Sequence, residues 1–241
     1  MIPGITMAAL ILIMLGAFMT ARSSEASLNA SADKRSLRQY VGEFASLLKN
    51  KALMLVSVSA AFRTLTQAGL LTFLPVYLAY ELGYSPLVVG VCMTVIQVAG
   101  FVAGPIGGHL SDTMGRRRVV MSSMLLTGVM LIGMVAAGRS PLFIVFIALT
   151  GFFLYAMRAV LQAWAVESAP KNLAGTAVGL QFGITTLGAS VAPFVFGLIA
   201  DAYGIYAGFY FLAGTIILAN GLVIFMPDTK SNPQATARGT A

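Results

Sequence analysis

The feature that most limits what this chain can fold into is the length of its apolar runs. Seven blocks of roughly 20 or more apolar residues follow one another, which is the length a helix needs to cross about 30 Å of hydrocarbon. Barrel strands are about ten residues long and alternate apolar with polar, whereas 53–80 and 173–200 are apolar almost throughout. Over such lengths only helices satisfy every backbone donor and acceptor inside lipid. Charged residues make up 10% of the 241 and hydrophobic residues 58%, where a soluble domain carries about a quarter charged. There is too little charge to coat a water-facing surface, which excludes a soluble enzyme, a secreted scaffold and a disordered chain. The fold class expected is all-α: a polytopic membrane protein with seven transmembrane helices.

The spans are expected at 2–20, 53–80, 86–110, 118–138, 141–167, 173–200 and 205–226, with breaks at Ser85-Pro86, 112–118, 138–141, 170–172 and 201–204. No Lys or Arg precedes the first block, so it reads as a span rather than a signal peptide. If the helices alternate, Arg22, Lys34, Arg35, Arg38, Lys49, Lys51, Arg116, Arg117, Arg118, Lys171, Lys230 and Arg238 fall on one side, and only Arg139 on the other. Cytoplasmic loops carry the excess of bases. The expected placement is therefore a multi-pass protein of the plasma (inner) membrane with a cytoplasmic C-terminus. The basic balance reflects this topology; no soluble basic face exists that would take nucleic acid. The long loop, 21–52, is cytoplasmic in this reading. Leu37, Tyr40, Val41, Phe44, Leu47 and Leu48 recur there at helical spacing, as in an amphipathic helix lying on the leaflet, although an ordinary linker explains them equally well. Residues 227–241 read as a disordered cytoplasmic tail.

Within 53–226 two triplets of helices echo each other. Arg63 is followed four residues later by Gln67, and Arg158 by Gln162. The second helix of each triplet ends in Gly-x-x-x-Asp-x-x-Gly: Gly108, Asp112 and Gly115, then Gly197, Asp201 and Gly204. An odd number of helices per unit forces the two copies into opposite orientations, and such inverted repeats mark secondary transporters.

The first of these turns continues into bases: Gly108-His109-Leu110-Ser111-Asp112-Thr113-Met114-Gly115-Arg116-Arg117-Arg118. This stretch resembles the cytoplasmic-loop signature of the major facilitator superfamily, matching at Gly108, Leu110, Asp112, Gly115, Arg116 and Arg117. It departs at Thr113, where the family often has a base. Gly108, with Gly104, fits a close helix contact. Gly115 fits a tight reversal, and Asp112 can meet the positive end of a helix starting near Leu173. The arginines can pair with Asp112 or Glu167. The resemblance implies that this cluster is a latch between conformations. It also implies that 53–226 is the six-helix C-terminal half of the fold, a 3+3 inverted-repeat half-bundle. Residues 1–20 then correspond to helix six and 21–52 to the central loop. The N-terminal six-helix half is expected from the same gene or from a partner chain. Phrases around Gly69–Tyr77 and Phe196–Asp201 look similar to proton-linked drug exporters, in the efflux and fosmidomycin-resistance branch.

Charges at mid-membrane are costly, about 2.5–3.5 kcal/mol for Arg on insertion scales, and so are functional candidates. Arg63 and Arg158 each lie about 15 Å from a span end, near the bilayer middle. The resemblance places both spans around the central cavity. Two cations with no mid-span carboxylate invite an anionic substrate, gripped through paired hydrogen bonds. Gln67, Gln162, Thr66, Tyr155 and Trp164 can supply orientation and stacking; Gln97 and Gln181 are weaker candidates. For each arginine the alternative is a structural lock on backbone carbonyls, or an acid on the companion half.

The function expected is secondary active transport of a small solute by alternating access, an organic anion or a drug-like molecule. Proton coupling is assigned to the companion half. A non-transporting structural or sensor half, and a membrane-embedded enzyme, are the alternatives. One histidine (His109) and one cysteine (Cys92) among scattered acids give neither a catalytic cluster nor a metal site. No cofactor is expected, and no nucleotide-binding loop is present.

Overall fold

The computed structural model describes residues 37–226. The chain divides into two units at Glu43/Phe44, and the second holds all the long helices. After a short helix α1 (Leu37–Lys49) come α2 (Lys51–Val76), α3 (Pro86–Met114), α4 (Arg116–Ala137), α5 (Leu142–Ser168), α6 (Ala174–Tyr203) and α7 (Ile205–Ile224). These six from α2 onward are each long and apolar enough to cross a membrane, and no strand occurs among the described residues. The expected seventh span, at 2–20, and the tail at 227–241 lie outside the described residues.

Asn50 sets the start of α2. Its Oδ1 accepts from the backbone N–H groups of Ala52 and Leu53, at 3.1 and 3.2 Å, which fills the first orphan donors of the helix. Its Nδ2 donates to the Ser168 carbonyl at 2.7 Å, tying the start of α2 to the end of α5. Leu47 of α1 is buried in the core, while Phe44 and Leu48 stay exposed. At the far end of α2, Pro75 removes one backbone donor. The helix then widens into a π turn over Tyr77–Glu81, closed by Leu82 N–H donating to the Tyr77 carbonyl at 3.1 Å.

The loop expected over 112–118 is almost absent. Helix α3 runs through Met114, α4 begins at Arg116, and Gly115 alone makes the reversal. At φ +92° Gly115 occupies backbone that side chains disfavour. The α6–α7 junction repeats this at Gly204, φ +88°. Both turns thus consist of one glycine, the last residue of each Gly-x-x-x-Asp-x-x-Gly pattern.

The largest interfaces respect the duplication. α3 packs along α5 and α2 along α6, so the second helix of each triplet lies on the first helix of the other. At close points of these two interfaces, Gly107 of α3 faces Ala156 of α5, and Gly188 of α6 faces Ala61 of α2. Ala61 and Ala156 each precede a mid-span arginine by two residues. The close approach that Gly104 and Gly108 were expected to provide falls on Gly107 instead. A Cβ there would lie 2.7 Å from the Ala156 carbonyl oxygen, whereas at Gly104 and Gly108 it would meet nothing within 4 Å. One residue on a helix turns the face by about 100°, and the apolar run around these glycines gives no signal of which face is packed. Gly175, Gly179 and Gly183, spaced one turn apart along α6, likewise meet nothing within 4 Å, so this row of small residues does not pack within the described bundle.

Candidate functional site

Helices α2, α5 and α6 line a half-open cavity of about 370 Å³. From α2 come Arg63, Thr64 and Gln67, from α5 Arg158 and Gln162, and from α6 Gln181, Phe182, Thr185 and Thr186. The cavity therefore gathers all four residues singled out by the repeated Arg-x-x-x-Gln pattern. The i, i+4 spacing explains why, since each Gln stands one turn from its Arg on the same face. Of the α6 wall, sequence reasoning named only Gln181, as a weaker candidate, and missed Phe182, Thr185 and Thr186. The wall's signal was the polar run Gln181, Thr185 and Thr186 in an otherwise apolar helix.

Arg63 is buried, 4% exposed, whereas Arg158 is exposed to the cavity side of α5. The Arg63 Nε donates to the Leu154 carbonyl at 3.0 Å, and its Cζ lies 5.9 Å from the centroid of the Tyr155 ring. A hydrogen bond from a charged group contributes about 1.5–3 kcal/mol and a desolvated cation–π contact about 1–2. Together these offset an insertion cost of about 2.5–3.5 kcal/mol, so the guanidinium is held without an acid. Its Nη2 is buried with no hydrogen-bond partner, which leaves a donor available beside the cavity. Within the bundle the described acids, Glu81, Asp112, Glu167 and Asp201, all stand at helix ends, so none of these four shares this level.

Other candidates fall elsewhere. Thr66 turns to α7, 3.1 Å from the Thr215 hydroxyl, and Trp164 is fully buried in the core. Both were expected to face solute; each lies off the Arg63 and Arg158 faces of its helix. Tyr155 packs over Arg63 and donates to Gln97 Oε1 on α3. Gln181 bridges helices, donating to the Leu161 carbonyl at 3.3 Å, as well as lining the cavity.

The motif loop forms a second cluster at the end of the bundle where α2 begins. Arg116, 7% exposed, pairs with Glu167 of α5 at 2.5 Å. Arg117 donates to the Ile224 carbonyl at 2.7 Å, occupying an orphan acceptor at the C-terminus of α7. The start of α4 is thus pinned to the ends of α5 and α7. Asp112 is exposed in the last turn of α3, and Gly108 accepts the Ser111 hydroxyl at 2.8 Å.

A six-helix bundle of two repeated triplets, with arginines and glutamines lining a mostly apolar cavity, has the architecture that inverted-repeat membrane proteins share. Residues 56–241 match the Major Facilitator Superfamily. The chain belongs to that family, which sets aside the membrane-embedded enzyme. It is 30% identical over 175 residues to a phosphoglycerate transporter protein of Salmonella typhimurium, covering 71% of this chain and 38% of that one. It is 28% identical over 165 residues to a multidrug resistance protein of Escherichia coli, covering 67% of this chain and 40% of that one. The fold is similar to that of a peptide transporter crystallised with sulfate: TM-score 0.67 at 19% identity, covering 78% of this chain and 42% of the other. The chain spans about two fifths of the length of the curated relatives it matches.

Proposed function

We propose that this chain forms the C-terminal half of a secondary active transporter that moves a small organic anion or anionic drug-like molecule by alternating access. The observation that carries this reading is the pair Arg63 and Arg158 lining one cavity with no carboxylate among its walls. A guanidinium presents its donors as a fork matched to carboxylate or phosphate, and Gln67, Gln162, Thr185 and Thr186 add neutral donors and acceptors around that charge. The phosphoglycerate transporter among the relatives handles an anion of this chemistry by its name, and the multidrug relative keeps drug-like anions within the proposal.

The second wall of the site comes from an N-terminal six-helix half, in the same gene or a partner chain. It also supplies the acid that proton coupling needs. The motif cluster at Gly108, Asp112, Gly115, Arg116, Arg117 and Glu167 serves as the latch that holds one conformation. The end of the bundle bearing that cluster faces the cytoplasm in the plasma (inner) membrane, a placement that the excess of bases there supports.

Membrane vesicles from cells expressing this chain together with its N-terminal half test the proposal directly. They should accumulate labelled 3-phosphoglycerate saturably, and Arg63→Gln or Arg158→Gln should abolish accumulation while membrane levels stay unchanged. Accumulation indifferent to both substitutions would leave the arginines as structural locks and this chain as a structural half.

A further inference from the structure

Arg63 is held by two consecutive residues of α5, Leu154 and Tyr155, neither of which lines the cavity. The bond from Nε to the Leu154 carbonyl fixes one nitrogen and leaves the guanidinium plane free to swing about it. A second cation, Arg158, lines the same cavity and repels it. The second restraint is the Tyr155 ring, 5.9 Å from Cζ.

Tyr155 is itself clamped. Its hydroxyl donates to Gln97 Oε1, and its ring lies against Gly100, where an added Cβ would sit 2.6 Å from Cγ of the ring. Gln97 and Gly100 are three residues apart on α3 and so share a face. Helix α3 contributes nothing to the cavity lining, yet reaches the cavity's buried cation through this one ring. Resting on the anion-site reading, we infer that Tyr155 is the positioning residue for Arg63, and that Gln97 and Gly100 hold Tyr155 in place. The ring fixes the plane of the guanidinium, and with it the direction in which the unpartnered Nη2 offers its hydrogen bonds.

Two measurements on the full chain in nanodiscs test this. The first needs no solute: ¹⁵N NMR of the arginine side chains. An aromatic ring beside the guanidinium shifts the Arg63 side-chain resonances; Tyr155→Leu should remove that shift and Tyr155→Phe, which keeps the ring, should retain it. Identical Arg63 resonances in wild type and Tyr155→Leu would overturn the inference. The second is binding of 3-phosphoglycerate. Tyr155→Leu should weaken it by about tenfold, the scale of a desolvated cation–π contact. Tyr155→Phe and Gln97→Leu should each weaken it by about two- to fivefold, the scale of one hydrogen bond. The double variant should be no weaker than either single one, because both remove the same bond. If Arg63→Gln loses binding while the Tyr155 and Gln97 variants keep wild-type affinity, the positioning role is overturned and the anion site stands. If wild type does not bind 3-phosphoglycerate, the anion-site reading falls, and the NMR arm still decides whether Tyr155 positions Arg63.

Discussion

Arg63 shows what a buried cation requires of its neighbours. It is held by a carbonyl and an aromatic face rather than by a carboxylate, so its charge is not neutralised before solute arrives. A lysine at this position cannot reproduce the fork. Arg63→Lys is expected to weaken 3-phosphoglycerate binding by about tenfold or more while leaving the fold intact, measured by titration and by thermal melting side by side. The Arg116–Glu167 pair behaves differently because the Glu167 side chain is 37% exposed. Water screens such a pair, and about 0.5–1 kcal/mol is the coupling expected from a double-mutant cycle on thermal stability. Glu167→Gln alone should cost more than the coupling, because it leaves the nearly buried Arg116 uncompensated. An additive cycle would mean that the pair contributes nothing to holding α4 against α5.

Between helices, small residues decide the spacing. Gly107→Val should destabilise the bundle by about 1–3 kcal/mol, as overpacking does, because its first added carbon would lie 2.7 Å from the Ala156 carbonyl oxygen. Gly104→Val should be tolerated, since that position opens onto empty space. Melting temperatures of the two variants check this, and equal losses would refute the packing face assigned here. The contrast also marks how far the sequence can be read. Apolar length gave the six helices from 51 to 224, and the Arg-x-x-x-Gln repeat pointed to four residues that line one cavity. The packed face of α3 was illegible because its small residues, Gly100, Ala103, Gly104, Gly107 and Gly108, cover several faces at once. Thr66 and Trp164 illustrate the same limit. A polar or aromatic residue near a mid-span arginine is placed by helix phase, and without a polar face opposite, phase cannot be fixed by pattern alone. The single-residue turn at Gly115 was masked by its polar neighbours, which read as loop although they continue the helices on both sides.

Across the whole molecule, α3 and α6 are the helices least covered by their own bundle, 22% and 11% buried over their apolar windows. Phe101 on α3 and Phe194 on α6 stand open, as do the glycines Gly175, Gly179 and Gly183. In the proposed transporter these faces meet lipid and the companion half. Cysteine substitutions at Gly179 and Gly183 should therefore become protected from thiol reagents when that half is co-expressed. Orientation is open to a simple check as well. A reporter fused after Ala241 should be active only in the cytoplasm, and one placed in the turn at Arg139 only outside; the reverse pattern would invert the topology. The central claim, that the cavity between α2, α5 and α6 is an anion site, is tested most directly by equilibrium titration of the purified protein in nanodiscs with 3-phosphoglycerate. One saturable site is predicted, weakened at least tenfold by Arg63→Gln and by Arg158→Gln and insensitive to Thr113→Ala. Equal affinity in wild type and both arginine variants would contradict it.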